Sequence, residues 1–370
     1  MKIGINATCY DDRPTGATQR FKGVYRELFK RLRNTEFVVF EPHDCNISAW
    51  FDNYENLSFR PTPFSSRRRT RKLLRGLSFW PNILRRERCD VFEAFNLPLI
   101  SSPKSRTLLT IQDIRYISHP RSSLEGYISR LVLDRAVAKC DLIITVSFSM
   151  RDEILALYPT VPISVVHNGV DIDCVQVISS ADLSTVRHSY NLPNDFVLSV
   201  GHLEPRKNYR NLVTAIARLR ESRRDVHLVI VGNDHGDLPA VQRHIHSLGV
   251  ALDITILNGL SDFEVSCMYR LCRLFVFPSS YEGFGIPILE AMLARCPMVL
   301  SDIAVFKEIT QGRGAYFKHD EPDSIAAAID GVITSNGECE RLVQYGIERV
   351  KDFTFVKVSR VLEEVYRSLA

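Results

Sequence analysis

The sequence predicts an α/β protein built from two doubly wound, Rossmann-like domains. Three observations carry that expectation. Short apolar runs of strand length alternate with helix-length amphipathic segments, the pattern of parallel sheets covered by crossover helices. The alternation runs through two cycles, split by the polar segment from Asp173 to Asp195. The chain has 370 residues, 45% hydrophobic and 24% charged, which suits two globular domains of ordinary size.

Lys2-Ile-Gly-Ile-Asn6 opens the first cycle as a buried strand. Phe37 to Phe40, Val91 to Ala94, Leu108 to Ile111, Leu142 to Val146 and Ile163 to Val166 continue it. Helical patterns from Phe21 to Leu32 and from Leu124 to Ala138 lie between them. The second cycle runs through Phe196 to Val200, Val226 to Val231, Ile254 to Leu257, Leu274 to Phe277 and Met298 to Leu300. Phe355 to Leu369 carries apolar residues at helical spacing. The expected division is a first domain over 1–175, a second over 190–354 and a terminal helix over 355–370.

Composition narrows the function classes. A net charge of +4 is too small to imply nucleic acid binding. No apolar run is long enough to span a bilayer, and the polar start is not a signal peptide. The nine cysteines are scattered, without a C-x-x-C pair or a Cys/His cluster of zinc spacing. They read as reduced, mostly buried thiols of a cytoplasmic protein, with Cys267 and Cys272 on one helix.

The most informative stretch is Ser279-Ser-Tyr-Glu-Gly-Phe-Gly-Ile-Pro-Ile-Leu-Glu-Ala-Met292. It follows the apolar run Leu274 to Phe277, and Pro287 suits the first turn of a helix. Glu282 therefore falls in a strand-to-helix loop and Glu290 one turn into the helix. Gly283 and Gly285 let backbone approach a ligand closely. Ligands of open parallel sheets bind at the carboxyl ends of the strands, so a carboxylate, amides and a helix N-terminus meet in one crevice. The same residues also suit an ordinary turn with a solvated glutamate; spacing alone does not decide. Upstream, Arg206 and Lys207 follow the strand ending at Val200 and the Gly201 turn, and Asn208 can cap the next helix. Two cations there make a diphosphate site, and both are expected to be exposed.

Glu282-Gly-Phe-Gly-Ile-Pro-Ile-Leu-Glu290 resembles the E-x7-E signature of retaining, nucleotide-sugar-dependent glycosyltransferases of family 4, which have the GT-B fold. Val200-Gly-His-Leu-Glu-Pro-Arg-Lys-Asn208 resembles that family's donor-phosphate loop, Ser147 to Glu153 its serine-capped helix, and His167-Asn-Gly-Val-Asp171 its segment before the hinge. The similarity extends from about residue 107 to the end. It implies two Rossmann-like domains facing a central cleft, with the last helix crossing back to the first. It implies that Arg206 and Lys207 neutralise the leaving diphosphate, that Glu282 contacts the transferred sugar, and that Glu290 accepts hydrogen bonds from the ribose. Gly201 and the segment Gly283, Phe284, Gly285 and Ile286 complete the donor site. Family members work without a metal, and no cofactor beyond the donor substrate is expected. Asp171-Ile-Asp173 formally reads as a metal-binding D-x-D, but its place near the inferred hinge argues against that role.

On the acceptor side, Pro14-Thr-Gly-Ala-Thr-Gln19 suits the family's glycine-containing loop through Gly16, and equally a plain strand-to-helix turn. Thr110-Ile-Gln-Asp113 departs from the family, which usually has His-Asp where this chain has Gln112-Asp113. Gln112 cannot titrate near neutral pH, but it can hydrogen-bond a sugar hydroxyl. From Phe64 to Arg88 the chain is basic, with leucines and aromatics interleaved and Glu87 as its one acid. Such a segment suits an anionic membrane surface, here the inner face, or a solvated helix packed on its own domain. The resulting expectation is a retaining, metal-independent hexosyltransferase in surface-polysaccharide or lipid-linked glycan assembly. Its first-choice donor is GDP-mannose and its acceptor a glycan or lipid-linked glycan. The rival is a non-catalytic sugar-nucleotide-binding or assembly protein of the same fold, motivated by Gln112.

Overall fold

The computed structural model describes residues 1–13, 15–67, 69–95, 105–120, 122–172, 178–222 and 224–369, with backbone alone for 69–75 and 77. The chain divides into two units, Met1–Gly169 with Thr354–Ala370, and Val170–Phe353. Each is built on one all-parallel sheet. The first holds Lys2–Asn6 (β1), Glu36–Glu41 (β2), Leu57–Pro61 (β3), Val91–Phe95 (β4), Arg106–Ile111 (β5), Leu142–Thr145 (β6) and Ile163–Val165 (β7). Their spatial order is β3-β2-β1-β4-β5-β6-β7. The second unit holds Val197–Val200 (β8), Leu228–Val231 (β9), Ile254–Leu257 (β10), Leu274–Phe277 (β11), Met298–Ser301 (β12) and Ala315–Phe317 (β13), in the order β10-β9-β8-β11-β12-β13. Both orders reverse once, between β1 and β4 and between β8 and β11. Right-handed crossovers then put the helices of the two halves on opposite faces, the doubly wound arrangement.

The strands are where the apolar runs are, because a strand covered on both faces needs apolar residues at every position. All four residues of β9, β11 and β12 are buried. Two strands, β3 and β13, extend beyond those runs. Both are edge strands: β3 reads Leu-Ser-Phe-Arg-Pro with its last two residues exposed, which leaves no continuous apolar signal, and β13 is only the three residues Ala-Tyr-Phe. The polar segment also contains a helix, Ser180–Ser189, started by a capping box between Ser179 and Asp182. Residues 173–177, Asp173 among them, lie outside the described residues.

The terminal helix Phe355–Leu369 completes the first unit rather than the second. It lies along the helix Gly16–Arg31, where Gly23 leaves room for the Phe355 ring: a Cβ on Gly23 would stand 2.2 Å from it. Tyr366 donates to the carboxyl of Glu93, which is 0% exposed in the middle of β4. Tyr25 Oη, at 2.5 Å, and Thr110 Oγ1 also donate to Glu93, so one buried acid ties two strands to two helices. Burial pushes that carboxyl upward, against these hydrogen bonds.

The basic segment forms the helix Arg69–Glu87. Trp80 and Leu84 are buried, and the Trp80 ring packs on Phe40, Phe64 and Phe92. Part of its apolar content therefore belongs to the domain core, while Arg85 and Arg86 are exposed. The side chains of Arg68, Arg69, Arg71, Lys72 and Arg75 lie outside the described residues.

Candidate active site

In the second unit the strand order reverses between β8 and β11, so the loops leaving their carboxyl ends diverge over a crevice. Gly201 leaves β8 at φ +152 and Gly232 leaves β9; a Cβ on Gly232 would stand 1.9 Å from the Gly201 carbonyl oxygen. Only a glycine permits that approach of two backbones. A Cβ on Gly201 would in turn meet Lys207 Nζ and Tyr209 Oη, each at 3.2 Å. The Tyr209 hydroxyl donates to the Gly201 carbonyl at 2.7 Å and fixes the turn.

The two loops meet at Glu282. Its Oε1 lies 2.6 Å from Lys207 Nζ and its Oε2 lies 2.8 Å from Arg206 Nη1. Arg206 also reaches Glu204 at 2.5 Å and donates to the Tyr281 carbonyl at 2.9 Å. Ser280 N closes the loop pair by donating to the Arg206 carbonyl at 2.8 Å. Lys207 Nζ sits 4.8 Å from the centre of the Phe277 ring, a cation–π contact. The cations are therefore not exposed, contrary to expectation: Lys207 is 7% exposed. The reason is charge balance. Glu204, Arg206, Lys207 and Glu282 sum to zero, so burial leaves none of them uncompensated. Burial alone pushes the Glu282 carboxyl up, but Lys207 and then Arg206 more than offset it and hold it at about 2. Burial lowers the affinity of Lys207 for its proton, and Glu282 opposes that.

Gly285, at φ +129, precedes the helix Ile286–Leu293, which carries Pro287 in its first turn and no side-chain cap. Its amino-terminal dipole suits an anion. Gly283, Phe284 and Ile286 are buried beside it, and the Phe284 ring packs edge-on against Phe353. Asn208 departs from expectation. It stands at the N-cap position of Tyr209–Glu221 in the left-handed conformation, but its side chain caps nothing; it donates to the His319 carbonyl at 2.6 Å.

Glu290 stands apart from the cations. Tyr269 Oη donates to its Oε2 at 3.0 Å. Burial pushes its carboxyl from 4.5 up to about 7, against the Tyr269 hydrogen bond. A carboxyl raised on folding contributes stability in its protonated form, complete below the unfolded value near 4.5 and lost as pH rises through about 7. At full ionisation such a shift is worth about 3 kcal/mol. Glu290→Gln keeps a hydrogen-bond acceptor without the charge. Its melting temperature is expected to exceed that of wild type more at pH 8 than at pH 5; parallel pH profiles would refute the buried-acid reading.

Tyr269, Glu204 and Tyr209 are site residues that sequence reasoning missed. Glu204 was legible in principle as the acid two positions before Arg206. Tyr269 was not, because nothing local links it to Glu290, 21 residues away. His202 was missed as well. Its ring stacks on His235 at 4.0 Å, and burial, with His235 and Lys207, pushes it down to about 4. Gly16 and Gln112 belong to the other unit. Gly16 begins the helix Gly16–Arg31 behind the Thr15 cap. Gln112 follows β5 at its carboxyl end, and its buried Nε2 finds no hydrogen-bond partner among the described residues.

Residues 185–349 match the family model described as Glycosyl transferases group 1, and residues 23–174 the one described as Glycosyltransferase Family 4. The chain is a GT-B glycosyltransferase of the family 4 type. This glycosyltransferase is 28% identical over 226 residues to the O-antigen chain mannosyltransferase RfbU of Salmonella typhimurium, 60% of each chain. It thus spans about 60% of that relative's length. It is 28% identical to the O-antigen chain mannosyltransferase B of Escherichia coli over 71% of each chain. Among solved structures, Anabaena HepE in complex with UDP and glucose superposes with a TM-score of 0.76 over 100% of both chains at 18% identity. That likeness extends the GT-B fold over the whole glycosyltransferase.

Proposed function

We propose that this chain is a retaining glycosyltransferase that moves a hexose from a nucleoside diphosphate to an acceptor hydroxyl. The observation that carries the reading is the Arg206–Lys207–Glu282 cluster at the turning point of the second sheet, beside an uncapped helix N-terminus. Departure of the sugar adds negative charge to the diphosphate. Cations already held in place by Glu282, together with the amides from Gly283 to Ile286, stabilise that charge without reorganising. Glu282 also reaches the transferred sugar, and Glu290 the ribose. The residues require no metal for these roles. Mannose is the first-choice sugar, because two relatives are named as O-antigen mannosyltransferases; GDP-mannose is the corresponding donor. UDP-sugars are the alternative, since a neighbour of like fold was solved with UDP and glucose. The acceptor is a glycan or lipid-linked glycan of a surface polysaccharide.

Gln112 supports turnover rather than its loss. Its unpartnered Nε2 is a donor held ready for an acceptor atom, such as a sugar hydroxyl oxygen. Release of nucleoside diphosphate, assayed across a panel of nucleotide sugars, tests the proposal. Wild type is expected to turn over one donor preferentially. Gln112→Ala should reduce the rate, and Gln112→His should retain activity with a new pH dependence near the imidazole value of about 6.5. If wild type turns over no donor and Gln112→His turns over one, the non-catalytic reading replaces this one.

We also propose that the helix Arg69–Glu87 rests on the anionic inner face of a membrane, beside which the protein works from the cytoplasm. Arg85 and Arg86 are its exposed described cations near the carboxyl end. No described helix is long and apolar enough to cross a bilayer. Reversing Arg67, Arg68 and Arg69 to Glu is expected to weaken binding to anionic vesicles, each cation contributing about 1 kcal/mol at low salt. Wild type that ignores such vesicles in sedimentation would sink the idea.

A further inference from the structure

Cys272 and Cys296 are free thiols whose Sγ atoms lie 3.2 Å apart. They come from different elements. Cys272 ends the helix Asp262–Leu271, its N–H donating to the Met268 carbonyl. Cys296 follows the helix Ile286–Leu293, its N–H donating to the Ala291 carbonyl. Those two helices carry Tyr269 and Glu290, the hydrogen-bonded pair of the candidate ribose site. The Cys272 thiol also lies 3.4 Å from the Tyr269 carbonyl oxygen. One sulfur pair thus joins the ends of the helices that hold one functional contact.

We propose that Cys272 and Cys296 form an oxidisable dithiol whose disulfide alters the Tyr269–Glu290 contact and so the affinity for the nucleoside diphosphate. The regulatory half rests on the ribose role of Glu290 proposed above. The oxidant is hydrogen peroxide, small enough for a site where Cys296 is 3% exposed and Cys272 half-buried. Burial and the neighbouring Cys296 hold the Cys272 thiol above its usual range, so its sulfur gives up the proton as it attacks an oxygen of the peroxide; a sulfenic acid forms, and the hydroxide released takes up that proton as water. Cys296 sulfur then attacks the sulfenic sulfur; its proton leaves with the displaced hydroxyl as a second water. Two thiols are oxidised and one molecule of hydrogen peroxide is reduced. Closing the gap from 3.2 Å to a bond of about 2.0 Å draws the two helix ends together, and Tyr269 sits only three residues from one of them.

Purified protein is treated with hydrogen peroxide, denatured, alkylated and digested. The expected product is a Cys272–Cys296 cross-linked peptide, lighter by about 2 Da than the reduced pair and reversed by dithiothreitol; Cys296→Ser should not form it. Full alkylation of both thiols after peroxide treatment overturns the proposal. Titration of GDP and UDP into oxidised and reduced protein is expected to differ by about tenfold for whichever binds, the worth of one perturbed hydrogen bond to a charged group. Glu290→Ala is titrated alongside. If Glu290→Ala weakens binding and oxidation does not, the coupling is wrong. If Glu290→Ala leaves binding unchanged, the ribose role falls instead. The coupling is then read without ligand, from the pH dependence of melting governed by Glu290. An identical profile in oxidised and reduced protein overturns it.

Discussion

Lys207→Ala is expected to lower turnover about a hundredfold or more and to destabilise the second unit at the same time. The first effect follows from removing the charged contact to the leaving group proposed above, typically about 3 kcal/mol. The second follows from burial. With Lys207 gone, Glu282 keeps only Arg206, in a setting where breaking a buried ion pair costs about 3–5 kcal/mol. Two effects with separate causes can be separated. Lys207→Met combined with Glu282→Gln leaves no buried unpaired carboxylate at that position. This double variant should recover much of the stability, measured by urea unfolding, and none of the activity. Recovery of both would mean that the cations are structural. The pH dependence has a definite sign. A carboxyl held at about 2 contributes its stability above the unfolded value near 4.5 and loses it only as pH falls through about 2. Wild type should therefore show no loss from this pair between pH 5 and 8, the range over which Glu290 titrates.

Gly232→Ala should be nearly as damaging, although Gly232 touches no candidate catalytic side chain. The added methyl would lie 1.9 Å from the Gly201 carbonyl oxygen and 2.6 Å from its carbon, both backbone atoms that no rotamer change can move. Gly232 N is itself tied to the Leu257 carbonyl at 2.9 Å, and Gly201 N to the Val231 carbonyl at 2.9 Å. The loops must separate, at about 3 kcal/mol or more, and the Gly201–Lys207 turn shifts with them. Both unfolding midpoint and turnover should fall. Wild-type values for either would show that the loops yield more easily than their hydrogen bonds suggest.

These two positions illustrate what was legible in the sequence. The strands were, because full burial demands unbroken apolar runs, and β9, β11 and β12 obey that demand. Strand β3 was not, since its exposed end breaks the apolar run, and β13 was not because it is only three residues long. The site loops were legible for a local reason: Arg206-Lys207 and Glu282-Gly-Phe-Gly each follow a strand directly, so topology alone places them at carboxyl ends. Their union was hidden. Lys207 and Glu282 are 75 residues apart, and only the pairing of β8 with β11 brings them into contact. Hence Lys207, which reads as solvated, is buried, and Arg206 beside it is half-buried. Asn208 failed for a related reason: its Nδ2 donates to the His319 carbonyl, 111 residues away, and its left-handed backbone is not the extended one of a helix cap.

The return of Phe355–Leu369 to the first unit bears on how the chain is made. Domains usually fold in order as they leave the ribosome, at about 5–20 residues per second. Here Met1–Gly169 emerges first but lacks the helix that supplies Tyr366 to Glu93 and Phe355 to Gly23. Until the last residues appear, the apolar side of Gly16–Arg31 that receives them is uncovered and a buried acid lacks one donor. Val170–Phe353 is continuous and has no such wait. The first unit thus waits incomplete while Val170–Phe353 is made, for roughly ten seconds or more at those synthesis rates. During that interval the nascent chain exposes the surface most in need of a chaperone.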